Sequence, residues 1–129
     1  MNLLLDTHAF IWFVDGDPQL PSHARAEIES TNNTVWLSTA CVWEMAIKTN
    51  LGKLTFSLPL SEYVELHVPE NGFHLLSVDV HHALAIDSLP LHHKDPFDRL
   101  IIAQCKVERM AIVSGDTVMD AYGVQRIWS

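Results

Sequence analysis

Leu3-Leu4-Leu5, then Asp6, then the apolar residues 9–14 read as a buried strand that ends on a carboxylate and turns into a helix. The same alternation of short apolar runs and helical stretches continues along the chain, the pattern of βαβ units around a largely parallel sheet. Helices are expected at 8–15 and 22–31, the second capped by Ser22, and a second strand at 34–37. Ser38 then caps a helix to residue 51, which Gly52 stops. A helix at 61–71, a third strand at 74–78 and a helix capped by Asp79 and reaching residue 88 follow. Asp95-Pro96 gives a cap and a first-turn proline to a helix ending near 109. A strand at 110–113, a short helix at 117–121 and an edge strand at 124–127 complete the reading. Right-handed crossovers place helices on both faces. The expected fold is an α/β/α sandwich of three layers around about five mainly parallel strands, as one domain over residues 1–129.

The 129 residues are enough for a hydrophobic core, and an apolar fraction of 48% argues against disorder. No apolar run approaches the roughly 18 residues that span a bilayer. The run at 9–14 lacks the basic start and small-residue cleavage site of a signal peptide. Cys41 and Cys105 have no metal-type spacing and fall in expected helices. They read as core residues of a cytoplasmic, reducing environment. The net charge of −8 has the wrong sign for a general polyanion binder. Clustered carboxylates that hold a metal would account for part of it.

Asp6 ends the first strand and Asp116 follows the fourth, where ligands bind in open parallel sheets. Asp98 lies in the first turn of the helix leading into that fourth strand. Glu44 borders an expected core stripe of Ala40, Trp43, Ile47 and Leu51, and can join the others if its helix leans over the sheet edge. Each acid also has a structural explanation. Asp6 could end a strand and cap a helix, Asp98 could offset a helix dipole, Asp116 could shape a turn, and Glu44 could pair with Lys48. Convergence would be costly without a cation, since two carboxylates ~5 Å apart repel by roughly 3 kcal/mol at an effective dielectric near 20. Oxygen ligands without thiolates suit Mg²⁺ or Mn²⁺ rather than Zn²⁺.

Four stretches carry a family resemblance: LLLDTHAFIW (3–12), LSTACVWEMAIKTNLGKL (37–54), HKDPFDRLIIAQ (93–104) and IVSGDTVMDAYGV (112–124). In this order they resemble the PIN-domain family, and within it the VapC-like toxins of type II toxin–antitoxin pairs. The resemblance implies that Asp6, Glu44, Asp98 and Asp116 are the metal-binding, catalytic acids, with the hydroxyls of Thr7 and Ser114 in support. It implies a metal-dependent endoribonuclease in which a metal-activated water attacks the phosphodiester in line. A single-stranded or tRNA-like RNA substrate, a cognate antitoxin and a homodimer come with it.

His8, Lys48, Lys94 and Arg99 are candidate substrate contacts; the alternative for His8 is a helix start, and for the other three a solvated charge at least as well supported. The pairs His81-His82 and His92-His93 diverge in regular structure, so a zinc site is not expected. Trp12, Trp36, Trp43 and Trp128 look too scattered for a base-stacking stripe, and read as core or interface. Phe10, Trp12 and Phe13 are candidate anchors for an antitoxin. A haloacid-dehalogenase-like phosphatase would need a second Asp at position 8, where His8 stands. A non-catalytic PIN-like module that only binds RNA or protein is the other alternative. Help from Asp95 or Asp120 to the acids is left open.

Overall fold

A computed structural model describes all 129 residues. Its centre is β1 (Asn2–Leu5), flanked by β2 (Thr34–Ser38) and β4 (Ala111–Val113), with β3 (His74–Leu76) and β5 (Arg126–Ile127) at the edges. All pairings are parallel and the order is β3-β2-β1-β4-β5. Leu3, Leu4 and Leu5 are all fully buried. A central strand covered on both faces has no wet side, which is why its apolar run does not alternate. Truncating Leu4 to Ala would cost ~2–5 kcal/mol through lost burial and a cavity.

The chain builds outward from β1 through β2 to β3, then returns to add β4 and β5 on the other side. The order therefore reverses between β1 and β4, and a crevice opens beyond the carboxyl ends of these two strands. Asp6 and Asp116 follow those ends.

The helices are α1 (Thr7–Asp15), α2 (Ser22–Glu29), α3 (Thr39–Asn50), α4 (Leu60–Glu70), α5 (Val80–Ala85) and α6 (Pro96–Glu108). Short 3₁₀ helices span Ile86–Ser88, one turn, and Thr117–Tyr122, two turns. Ser38, Asp79 and Asp95 cap their helices through side-chain oxygens, as the sequence suggests. Ser22 instead lies inside α2, with Pro21 at the cap position and no side-chain cap.

One helix face differs from expectation. In α3 the buried residues are Ala40, Cys41, Glu44 and Met45, while Trp43 and Leu51 are each 60% exposed and Ile47 is also exposed. The helix is apolar almost all round, so periodicity alone could not choose its inner side. The small residues Ala40 and Cys41 allow the close approach, and the Cys41 thiol reaches the Leu5 carbonyl at 3.8 Å. In α6 a continuous run, Ile101 to Cys105, is buried and Val107 is exposed, because sheet and helices enclose its middle turn.

His82 joins α5 to α6. Its Nδ1 accepts the Asp79 backbone N–H at 3.0 Å, so the ring hydrogen sits on Nε2 and is donated to Glu108 at 2.9 Å. Both ring nitrogens are thereby committed to a capping box and an interhelix bond. The neighbouring His81 points outward.

Candidate acidic site

Three carboxylates at the crevice are N-caps, and this fixes their direction. Asp6 accepts the Ala9 N–H at 2.7 Å, Asp116 that of Val118 at 3.0 Å, and Asp95 those of Phe97 and Asp98 at 2.9 and 3.1 Å. In each case Oδ1 serves the cap, so the second oxygen remains for other partners. Asp98 follows Asp95 by nearly one turn of α6. Glu44 enters from α3 as a buried side chain, with Thr7 Oγ donating to one oxygen at 2.6 Å and Lys48 Nζ to the other at 2.7 Å.

These groups surround a cavity of about 250 Å³ lined by Asp6, Thr7, His8, Glu44, Lys48, Asp95, Asp98 and Asp116, with no apolar residue. The four acids singled out in the sequence thus meet in one place, and Asp95 joins them. Asp120 does not, since both its oxygens pair with Arg126 at 2.9 and 3.2 Å. Ser114 is buried, accepts the Asp116 N–H at 3.1 Å and directs its hydroxyl to Asp6.

Among the candidate substrate contacts, His8 and Lys48 line the cavity. Lys94 is exposed and outside it. The Arg99 guanidinium is spent on the loop before α6: it donates to the carbonyls of Leu89, Pro90 and His93 at 3.1–3.4 Å. That makes it a brace for the loop.

His93 is the residue that sequence reasoning missed. Its Nδ1 accepts the Asp95 N–H at 3.1 Å, so Nε2 carries the hydrogen. Nε2 lies 2.6 Å from Asp116 Oδ2 and 3.2 Å from Asp98 Oδ2. The imidazole therefore donates to Asp116, stands beside Asp98, and has no free lone pair for a metal in this tautomer. The signal was present in the order His93-Lys94-Asp95-Pro96. A histidine two residues before a helix cap can fold back onto the cap's own N–H.

The electrostatics record crowding. Burial raises the Asp6 carboxyl above its ordinary 3.8, opposed by the Ser114 hydroxyl and the Ala9 N–H. Asp98 is pushed up to about 7, first by burial and then by the charge of Asp95, with His93 opposing and Asp6 and Glu44 adding to the rise. Lys48 holds its proton more tightly than usual because of its hydrogen bond to Glu44. Its ammonium is the cavity's own counter-ion.

The fold and the site define a class, an open parallel α/β sheet with an acid-lined cavity at its switch point. Within that class the chain belongs to the PIN domain family, whose model matches residues 3–125. Its fold is also that of chains in three solved structures. One is VapBC2 from Rickettsia felis bound to a promoter DNA fragment, at 13% identity, full coverage of both chains and a TM-score of 0.75. Another is VapBC-1 from nontypeable Haemophilus influenzae, at 14% identity, covering 98% of this chain and 96% of that one, with a TM-score of 0.69. The third is FitAcB from Neisseria gonorrhoeae, at 19% identity, covering 96% and 95%, with a TM-score of 0.63. No curated protein matches the chain in sequence. No helix is long and apolar enough to cross a membrane.

Proposed function

We propose that the chain is a divalent-metal-dependent endoribonuclease and the toxin of a toxin–antitoxin pair. The observation that carries the proposal is the meeting of Asp6, Glu44, Asp98 and Asp116 around one polar cavity at the switch point. Each Glu44 oxygen has one donor and keeps a lone pair, and the caps leave the second aspartate oxygens for other partners. This all-oxygen set fits Mg²⁺ or Mn²⁺. A cation held there would bind phosphate oxygens and activate water for in-line displacement. Asp95 and Ser114 keep the acids in position, His93 donates to Asp116 beside Asp98, and Lys48 balances Glu44.

Incubation with single-stranded and transfer RNAs, with Mn²⁺ and with a chelator, tests the proposal. Cleavage should require the metal and leave 5′-phosphate and 3′-hydroxyl ends, because water rather than the ribose 2′-OH attacks. Products with 2′,3′-cyclic phosphates would sink this mechanism. Metal-independent RNA binding without cleavage would favour the non-catalytic reading.

His93→Ala removes the donor to Asp116 Oδ2 and the ring that stands beside Asp98. In metal-free protein it should cost ~1.5–3 kcal/mol, the range for a lost bond to a charged group. Saturating Mn²⁺ should restore most of the melting temperature. An equal deficit with and without metal would show that His93 serves the loop alone.

The fold shared with chains from VapBC and FitAcB assemblies supports an antitoxin partner, and a homodimer is part of the same reading. Of the anchors suggested by sequence, Phe10 is in the core and Phe13 packs on Phe73 beneath Arg25. The exposed Trp43, Ile47 and Leu51 of α3 offer more apolar surface to a protein partner. Both cysteines are free and buried, which suits the cytoplasm. Expression of the chain alone should arrest growth, and co-expression of the protein encoded beside it should relieve the arrest.

A further inference from the structure

The acidic cavity opens into a second one of about 470 Å³, which shares Asp6, His8 and Asp116 with it and is walled by Trp12 and Trp128. The fold brings together aromatic rings that are remote in sequence. His8 and Trp12 sit on adjacent turns of α1 with ring centroids 5.3 Å apart, and Trp12 lies 6.0 Å from Trp128 beyond β5. Both indoles are partly exposed rather than buried. Trp128 is held by a close approach: a Cβ on Gly115, one residue before Asp116, would lie 2.9 Å from its ring. A glycine at 115 thus lets the indole pack closely against the loop that carries an acid of the site.

We propose that Trp12 and Trp128, with His8, form a stacking subsite for a nucleobase adjoining the phosphate held at the acidic cavity. This rests on the nuclease reading of that cavity and adds how the substrate is gripped. Stacking is the contact this chain has available. With a net charge of −8 and Lys48 already paired to Glu44, few cations are left to hold a phosphate backbone. A base is uncharged and presents a flat face to an indole whatever its identity. Gln19 on the cavity rim adds a carboxamide that can meet a base edge. A protein side chain is the other conceivable occupant. The base is favoured because the aromatic wall shares Asp6 and Asp116 with the phosphate-binding cavity.

The test measures binding apart from cleavage. Two single-stranded 12-nucleotide RNAs of equal charge serve as probes, one of adenylates and one of abasic ribose phosphates. Their affinities are measured by fluorescence anisotropy in Ca²⁺ and cleavage of the first in Mn²⁺, for the wild type and for Trp12→Leu, Trp128→Leu, Trp128→Phe and Trp43→Leu. The wild type should prefer the adenylate RNA by roughly 10- to 100-fold, within the range for one stacked base. Trp12→Leu and Trp128→Leu should erase most of that preference at unchanged abasic affinity. Trp128→Phe should keep part of it, and Trp43→Leu, outside the cleft, all of it. Adenylate affinity should also fall less steeply with salt than for a phosphate-gripping protein.

Equal affinity for the two RNAs, no binding of either, or a full preference in both leucine variants would overturn the subsite; equal affinity would favour a protein anchor instead. Melting temperatures show whether a variant has simply lost its fold, and Trp128→Phe keeps the test open if Trp128→Leu has. Base-dependent binding without cleavage would sink the nuclease reading and leave the subsite standing. Cleavage without base-dependent binding would do the reverse.

Discussion

Asp98→Asn should lower RNA cleavage by at least ~100-fold at saturating Mn²⁺ with the fold intact, whereas Asp95→Asn should keep most of the activity. The two carboxylates lie within one turn of α6 and line the same cavity, so their chemistry is separated only by what each already holds. One oxygen of Asp95 accepts two backbone N–H groups at the start of α6. Asn caps nearly as well as Asp, so that substitution keeps the helix start. The Asp98 carboxylate holds no backbone group and lies 3.2 Å from His93 Nε2. Asn there retains shape and loses a ligand charge, and ~100-fold in rate corresponds to about 2.7 kcal/mol of transition-state stabilisation. Steady-state rates of the two variants, measured beside their melting curves, decide the matter. The opposite ranking would mean that Asp95 is the ligand and Asp98 the support.

The pair also shows what a sequence discloses and what it withholds. Strand-ending Asp6, helix-capping Asp95 and turn-forming Asp116 each had an adequate structural explanation. The structure shows that cap and site are not alternatives, because a carboxylate that spends one oxygen on a helix N–H is aimed by that bond. The sheet was readable because β1, β2 and β4 are short apolar runs bounded by polar residues. The inner face of α3 was not, since Trp43, Ile47 and Leu51 match helical spacing as well as Ala40, Cys41 and Met45 do. That error understated Glu44, which lies inside the helix's buried face rather than on its border. The contacts His93–Asp116 and Trp12–Trp128 join residues 23 and 116 positions apart, and no local pattern reports such meetings.

Metal-free protein should melt lower at pH 8 than at pH 5, by roughly 5–15 °C, and saturating Mn²⁺ should reverse that order. The sign follows from Asp98, whose carboxyl is raised in the folded state from 3.8 to about 7, with Asp6 raised as well. Between those values Asp98 binds more protons in the folded than in the unfolded chain, so its contribution to stability falls as pH rises. The contribution is whole below about pH 4 and gone above about pH 7. A few kcal/mol of order of magnitude, in a domain of this size, gives the stated shift in melting temperature. Asp79 and Asp120, whose carboxyls are lowered, change charge below this window and leave it undisturbed. A divalent ion needs the ionised carboxylates, so its stabilising effect grows with pH where the metal-free protein weakens. Asp98→Asn should flatten the metal-free profile. The variant carrying Asp6→Asn, Glu44→Gln, Asp98→Asn and Asp116→Asn together keeps the caps without the charges. It should melt above the metal-free wild type at pH 8 and ignore Mn²⁺. Calorimetric scans with chelator and with millimolar Mn²⁺ at both pH values read all of this. A Mn²⁺ gain equal at pH 5 and pH 8, or one that persists in the fourfold variant, would place the metal elsewhere than among these four acids.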